Sequence, residues 1–263
     1  MRIAKYNFIN PVFSAYGGKG GIVLLAGLSF LLLAGMKAFS GDKKKWMMIQ
    51  YTVTDTGGGK ELLIYNWLAL GDSYTIGESV NENERYPVQA VRLLEKYNIH
   101  YDEPEIIART GWTTSDLLNG MKPKKTAFQQ YDLVTLLIGV NNQFQGRSQS
   151  EYKEEFLALL KRSIQLAGNR PSHVIVLSIP DYGVTPFARN LPGGGIAKEI
   201  DSFNRINKEA SKNEQVNYLD ITEESRKAGS DPSLIAGDGL HFSGKEYAIW
   251  AQMLVTLIHE GIK

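Results

Sequence analysis

Between residues 62 and 221, five apolar runs of strand length alternate with segments of helical spacing, and few folds accommodate that alternation. The runs cover residues 62–70, 105–109, 133–138, 173–179 and 216–221. Their apolar residues fall at consecutive positions, so each strand must be covered on both faces. Strands of that kind separated by helices specify a parallel sheet with helices on either side. The expectation is an α/β fold, a three-layer αβα sandwich around a five-stranded parallel sheet. The intervening helices have their own signals. Residues 87–97 start with Pro87 and carry Val88, Val91 and Leu94 on one face. Ser148 with Glu151 forms a capping box for a helix that runs to Ala167 and closes at Gly168. Ile196, Ile200, Phe203, Ile206 and Ala210 share a helical face, and Ser243 with Glu246 opens a last helix through Trp250 and Leu257.

The first 60 residues read differently. Residues 20–36 carry no charge, and residues 22–33 are nearly all apolar. Arg2, Lys5 and Lys19 precede this run; Lys37 and Lys43, Lys44 and Lys45 follow it. The run is short for a membrane span of about 20 residues and long for a signal core of about 7–15. Ala38-Phe39-Ser40 offers a small-x-small cleavage site. Residues 1–45 are therefore expected to form a leader with a hydrophobic signal or anchor segment. Residues 46–60, with Gly57, Gly58 and Gly59, form a linker, and residues 61–263 form the folded domain. On this reading the protein is exported or membrane-anchored, its association with a membrane made through residues 20–36. The competing readings are a buried N-terminal helix and a start at Met47 or Met48.

Composition narrows the chemistry. With 29 basic and 28 acidic residues, there is no long-range attraction to nucleic acid. The absence of cysteine removes disulfides, a thiolate nucleophile and cysteine-ligated zinc. Only His100, His173, His241 and His259 can serve as an imidazole base. No third ligand recurs near Asp238 and His241, so no metal and no cofactor is expected.

In a parallel sheet the site lies beyond the carboxyl ends of the strands. The first run ends in Gly71-Asp72-Ser73-Tyr74, the second in Arg109-Thr110-Gly111, and the third in Gly139-Val140-Asn141-Asn142. A loop after the fifth carries Asp238-Gly239-Leu240-His241. A serine, a glycine that exposes its backbone, an amide and an Asp/His pair would meet on one rim. That inventory is what acyl transfer needs. The bland readings are that Ser73 caps a helix, that Asn141 and Asn142 make a turn, and that Asp72 bonds loop backbone.

On these four blocks, in this order, the chain resembles the SGNH or GDSL-type serine hydrolases, from about residue 62 to the C-terminus. Tyr74 stands where the family name has Leu, and Asn142 stands where the family usually has Asp. The resemblance implies a flavodoxin-like sandwich and serine-dependent hydrolysis of carboxylic esters through an acyl-enzyme. It implies Ser73 as nucleophile, His241 as base and Asp238 as its orienter. The oxyanion would be held by the backbone N–H groups of Ser73 and Gly111 and by the Asn141 amide. Family members act on lysophospholipids, thioesters, small esters and acetylated carbohydrates, so the alternatives are a lysophospholipase or thioesterase for long acyl chains, or a non-catalytic membrane-tethered binding protein.

Bulky residues on the same rim bear on substrate. Trp112, Phe144, Tyr182 and Phe187 could wall an acyl pocket or stack on sugar rings, and Gln143, Gln145 and Arg147 add donors beside Phe144. These residues lead to the expectation of a small-molecule ester with a short acyl group on a polar alcohol or sugar.

Overall fold

The computed structural model describes residues 2–3, 62–122, 127–191 and 194–261. The expected signal or anchor at residues 20–36 and the whole of the linker at residues 46–60 lie outside the described residues. The chain divides into two compact units, Met1–Leu63 and Ile64–Lys263, and the second carries everything that follows.

Five strands form its sheet: β1 (Trp67–Gly71), β2 (Glu105–Ala108), β3 (Leu133–Leu137), β4 (Val174–Leu177) and β5 (Asn217–Leu219). They lie in the order β2-β1-β3-β4-β5, and every pairing is parallel. This is the flavodoxin-like order, with its topological switch point between β1 and β3. Every residue of β1, β3 and β4 is buried, as their apolar runs require, and Thr135 in the middle of β3 accepts the Trp67 indole N–H at 3.0 Å; the edge strands β2 and β5 are mostly half-buried.

The helices are α1 (Ser73–Ile76), α2 (Tyr86–Leu94), α3 (Thr114–Met121), α4 (Val140–Phe144), α5 (Gln149–Leu166), α6 (Ile196–Asn213), α7 (Thr222–Arg226) and α8 (Gly244–Gly261). The α2–α8 pair packs together as one layer, and α5 packs against both α3 and α6 in the other. The αβα sandwich expected from the alternation is therefore present.

Two local signals act differently from the sequence expectation. The first apolar run is not one strand. Asn66 interrupts it by exchanging hydrogen bonds with Asp132: its N–H donates to Oδ2 at 3.0 Å, and its Oδ1 accepts from the Asp132 N–H at 2.8 Å. Ile64 and Tyr65, before the break, pair instead with His100 and Tyr101. At α8 the Glu246 N–H reaches Ser243 Oγ at 3.4 Å, but the Glu246 carboxylate turns inward. There it accepts from the Trp250 indole N–H at 2.7 Å, and burial pushes its carboxyl up to about 7. The capping box at Ser148 is likewise half made, with the Glu151 N–H donating to Ser148 Oγ at 3.1 Å.

Candidate active site

β1 must end in a residue without a side chain. A Cβ on Gly71 would collide with the Thr75 side chain and the Leu137 carbonyl. Asp72 then caps α1, accepting from the Tyr74 N–H at 3.1 Å, so Ser73 begins the helix rather than capping it. Asp72 is fully buried, and burial pushes its carboxyl up to about 7 against backbone hydrogen bonds from Tyr74, Gly139 and its own N–H. It is an internal fixture of the turn, as its sequence context suggests. Gly77, at φ +70°, closes α1 after one turn.

The Asp238 loop supplies a histidine and its partner from one turn. His241 Nδ1 lies 2.6 Å from Asp238 Oδ2. Asp238 Oδ1 accepts the backbone N–H groups of Leu240 and His241, each at 2.9 Å, and Oδ2 also accepts Ser79 Oγ–H at 2.7 Å. Burial pushes the Asp238 carboxyl up, but the hydrogen bonds from His241, Leu240 and Ser79 outweigh it and hold it well below the usual carboxylate range. It stays ionised, which fixes the proton on Nδ1 and leaves Nε2 free to accept. The Tyr74 ring packs against the imidazole in a T-shaped arrangement, 5.8 Å between centroids.

Ser73 and His241 line one cleft with Tyr74, Val140, Asn141, Phe144, Tyr182, Phe187 and Leu240. Both are largely buried, at 5% and 8% exposure. The structure thus brings together the serine after β1, the amide after β3 and the histidine of the last loop. Gly111 sits in the loop after β2 at φ +82° with open space where a Cβ would be. The loop is tied to Asn141, whose Nδ2 donates to the Trp112 carbonyl at 3.0 Å.

Asn142 does more than make a turn. It is 1% exposed, accepts the Thr114 N–H at 3.0 Å and donates from Nδ2 to Thr114 Oγ1 at 2.7 Å. That hydroxyl gives its own proton to Glu155 Oε2 at 2.5 Å. With Glu155 taking the proton, the residue at 142 must be a donor, which gives Asn here a reason that Asp would not meet.

Three rim residues are placed differently from expectation. Phe144, Tyr182 and Phe187 do line the cleft as an aromatic cluster, with Phe144 6.1 Å from Tyr182 and 6.2 Å from Phe187. Trp112 instead lies over Gly120 of α3, where a Cβ would meet its ring. Arg147 pairs with Glu151 one turn along α5, at 3.3 Å. Gln143 is buried and donates to Glu199 of α6 at 2.6 Å, so it is not a free donor. Leu240, Val140 and Tyr74 also line the cleft; each stands beside a motif residue, and nothing in the sequence marks them as lining residues. Among the described residues no group of three His, Cys, Asp or Glu could hold a metal ion.

The model of the GDSL-like lipase/acylhydrolase family matches residues 69–249. No curated protein matches the sequence. Among solved structures, a lipase/acylhydrolase from Enterococcus faecalis is similar at TM-score 0.59 and 18% identity, over 74% of this chain and 96% of that one. TesA is similar at 0.58 and 15%, over 74% and 98%. Axe2, an acetylxylan esterase from Geobacillus stearothermophilus, is similar at 0.57 and 19%, over 74% and 94%. At these identities the likeness is one of fold.

Proposed function

The chain belongs to the GDSL-like lipase/acylhydrolase family, and from that premise we propose that it hydrolyses carboxylic esters through an acyl-enzyme on Ser73. The observation that carries the reading is the 2.6 Å contact between His241 Nδ1 and an ionised Asp238, in a cleft shared with Ser73. A serine hydroxyl attacks only when a base takes its proton. His241 Nε2 takes it as Oγ bonds to the ester carbonyl carbon, and Asp238 stabilises the imidazolium that forms. The carbonyl oxygen, now an anion, accepts from the backbone N–H groups of Ser73 and Gly111 and from Asn141 Nδ2. That amide has two N–H bonds, one of which is committed to the Trp112 carbonyl. Collapse expels the alcohol, which leaves with the proton from His241. Water then repeats the cycle and frees the acid.

The acyl group is short on this reading. Phe144, Tyr182, Phe187, Leu240 and Val140 wall a small, mostly apolar cleft. The segment from Phe144 to Arg147 is exposed, which suits a hydrated alcohol or sugar portion. Each methylene that fits a pocket adds about 0.8 kcal/mol. On a nitrophenyl ester series below the micellar range, kcat/KM is expected to peak between acetyl and hexanoyl. A steady climb to dodecanoyl would overturn this and favour a lysophospholipase or thioesterase.

The apolar run at residues 20–36, flanked by basic residues, supports a location outside the cytoplasm, exported or held at the membrane. Fractionation of cells that make the full chain is expected to find it in the membrane or extracytoplasmic fraction. A cytoplasmic product starting near Met47 would end that reading.

A further inference from the structure

We propose that Ser79 is a positioning residue for Asp238, an inference that rests on the triad reading above. Ser79 has φ +66°, a conformation that side chains disfavour. Among the described residues Asn98, Asn169 and Gln215 share it, and each follows the end of a helix, where a left-handed residue terminates the turn. Ser79 has no such duty, because Gly77 already closes α1. What the conformation achieves is to bring Ser79 Oγ within 2.7 Å of Asp238 Oδ2.

That hydrogen bond differs in kind from the others on the carboxylate. Leu240 N–H, His241 N–H and His241 Nδ1 all come from the loop of Asp238 itself, so none of them ties the carboxylate to the turn that carries the serine. Ser79 lies 159 residues away in sequence, on the turn that follows the nucleophile. That turn is tied to both neighbours. The N–H groups of Gly77 and Glu78 donate to the Ser73 carbonyl, the latter at 3.0 Å. The Glu78 carboxylate accepts the Thr110 hydroxyl, next to Gly111. Residues 77–79 therefore join the serine, the loop of Gly111 and the acid, and Ser79 is the link to the acid. Its hydroxyl fixes the carboxylate, and through it the imidazole, with respect to Ser73.

The test compares Ser79→Gly and Ser79→Ala on a short nitrophenyl ester. Glycine adopts φ +66° freely, so it removes the hydroxyl without straining the turn. Both variants are expected to lose roughly 3- to 10-fold in kcat, the size of one partly solvated hydrogen bond, with KM within about twofold. In an Asp238→Ala background, assayed at high enzyme concentration, the same substitutions should cost less than about twofold, because their target is gone. Full kcat in Ser79→Gly would overturn the proposal, as would an undiminished loss in the Asp238→Ala background. Either result with an inactive Ser73→Ala leaves the esterase reading standing; turnover in Ser73→Ala would sink that reading itself.

Discussion

Ser73→Ala and His241→Ala are each expected to lower kcat by roughly 10⁴-fold or more while leaving the fold intact. Ser73 is largely buried, but its hydroxyl holds no hydrogen bond that the α1 turn depends on; the cap is Asp72 and the closing residue Gly77. Thermal unfolding of Ser73→Ala should therefore match the parent closely, so the loss reads as chemistry. A fluorophosphonate should label the parent on Ser73 and fail to label the variant. Substantial turnover or labelling without Ser73 would remove the acyl-enzyme. The acid side of the pH profile follows from the same pair. Only a neutral imidazole accepts the serine proton, so activity should fall toward acid pH. Asp238 is held ionised well below the usual carboxylate range, so it should add no second limb at about pH 4.

Where backbone periodicity carries the information, the sequence was legible. The apolar runs of β1, β3 and β4 cannot sit anywhere but in the middle of a covered sheet, and they do. The Asp-x-x-His spacing was sufficient to anticipate the contact at 2.6 Å, because both residues lie on one turn. What the sequence hid was tertiary choice among polar and aromatic side chains. Gln143 and Arg147 look like free donors until Glu199 and Glu151 are placed beside them. Trp112 looks like a substrate wall until Gly120 opens a site for its ring on α3. That helix gives no periodic signal, because its buried residues are only Thr114 and Leu117. Ser79 gave no signal at all, since its role depends on a residue 159 positions away.

Asn141 and Asn142 separate chemistry from architecture within two adjacent amides. Asn141→Ala is expected to lower kcat by roughly 10²–10³-fold, the cost of one lost oxyanion donor. Its structural tie is a single hydrogen bond to the Trp112 carbonyl in a half-buried setting, so stability should change little. Asn142→Ala is expected to behave in the opposite way. It leaves the buried Thr114 N–H without an acceptor and Thr114 Oγ1 without a donor. An unsatisfied buried group costs about 1–3 kcal/mol, which for a domain of this size lowers Tm by roughly 2–12 °C. Any loss of kcat should be far smaller than in Asn141→Ala and should arise from displacement of the loop that carries Gly111. Asn142→Asp sharpens the contrast. It keeps the acceptor for the Thr114 N–H but sets a carboxylate against a hydroxyl whose proton Glu155 already takes. It should destabilise the parent, and Glu155→Gln should recover much of that loss, because a glutamine at 155 can donate to Thr114 Oγ1 and free its proton for Asp at 142. Stability and kcat measured on the four variants decide the assignment. A kcat more sensitive to Asn142→Ala than to Asn141→Ala would move the oxyanion donor from residue 141 to residue 142.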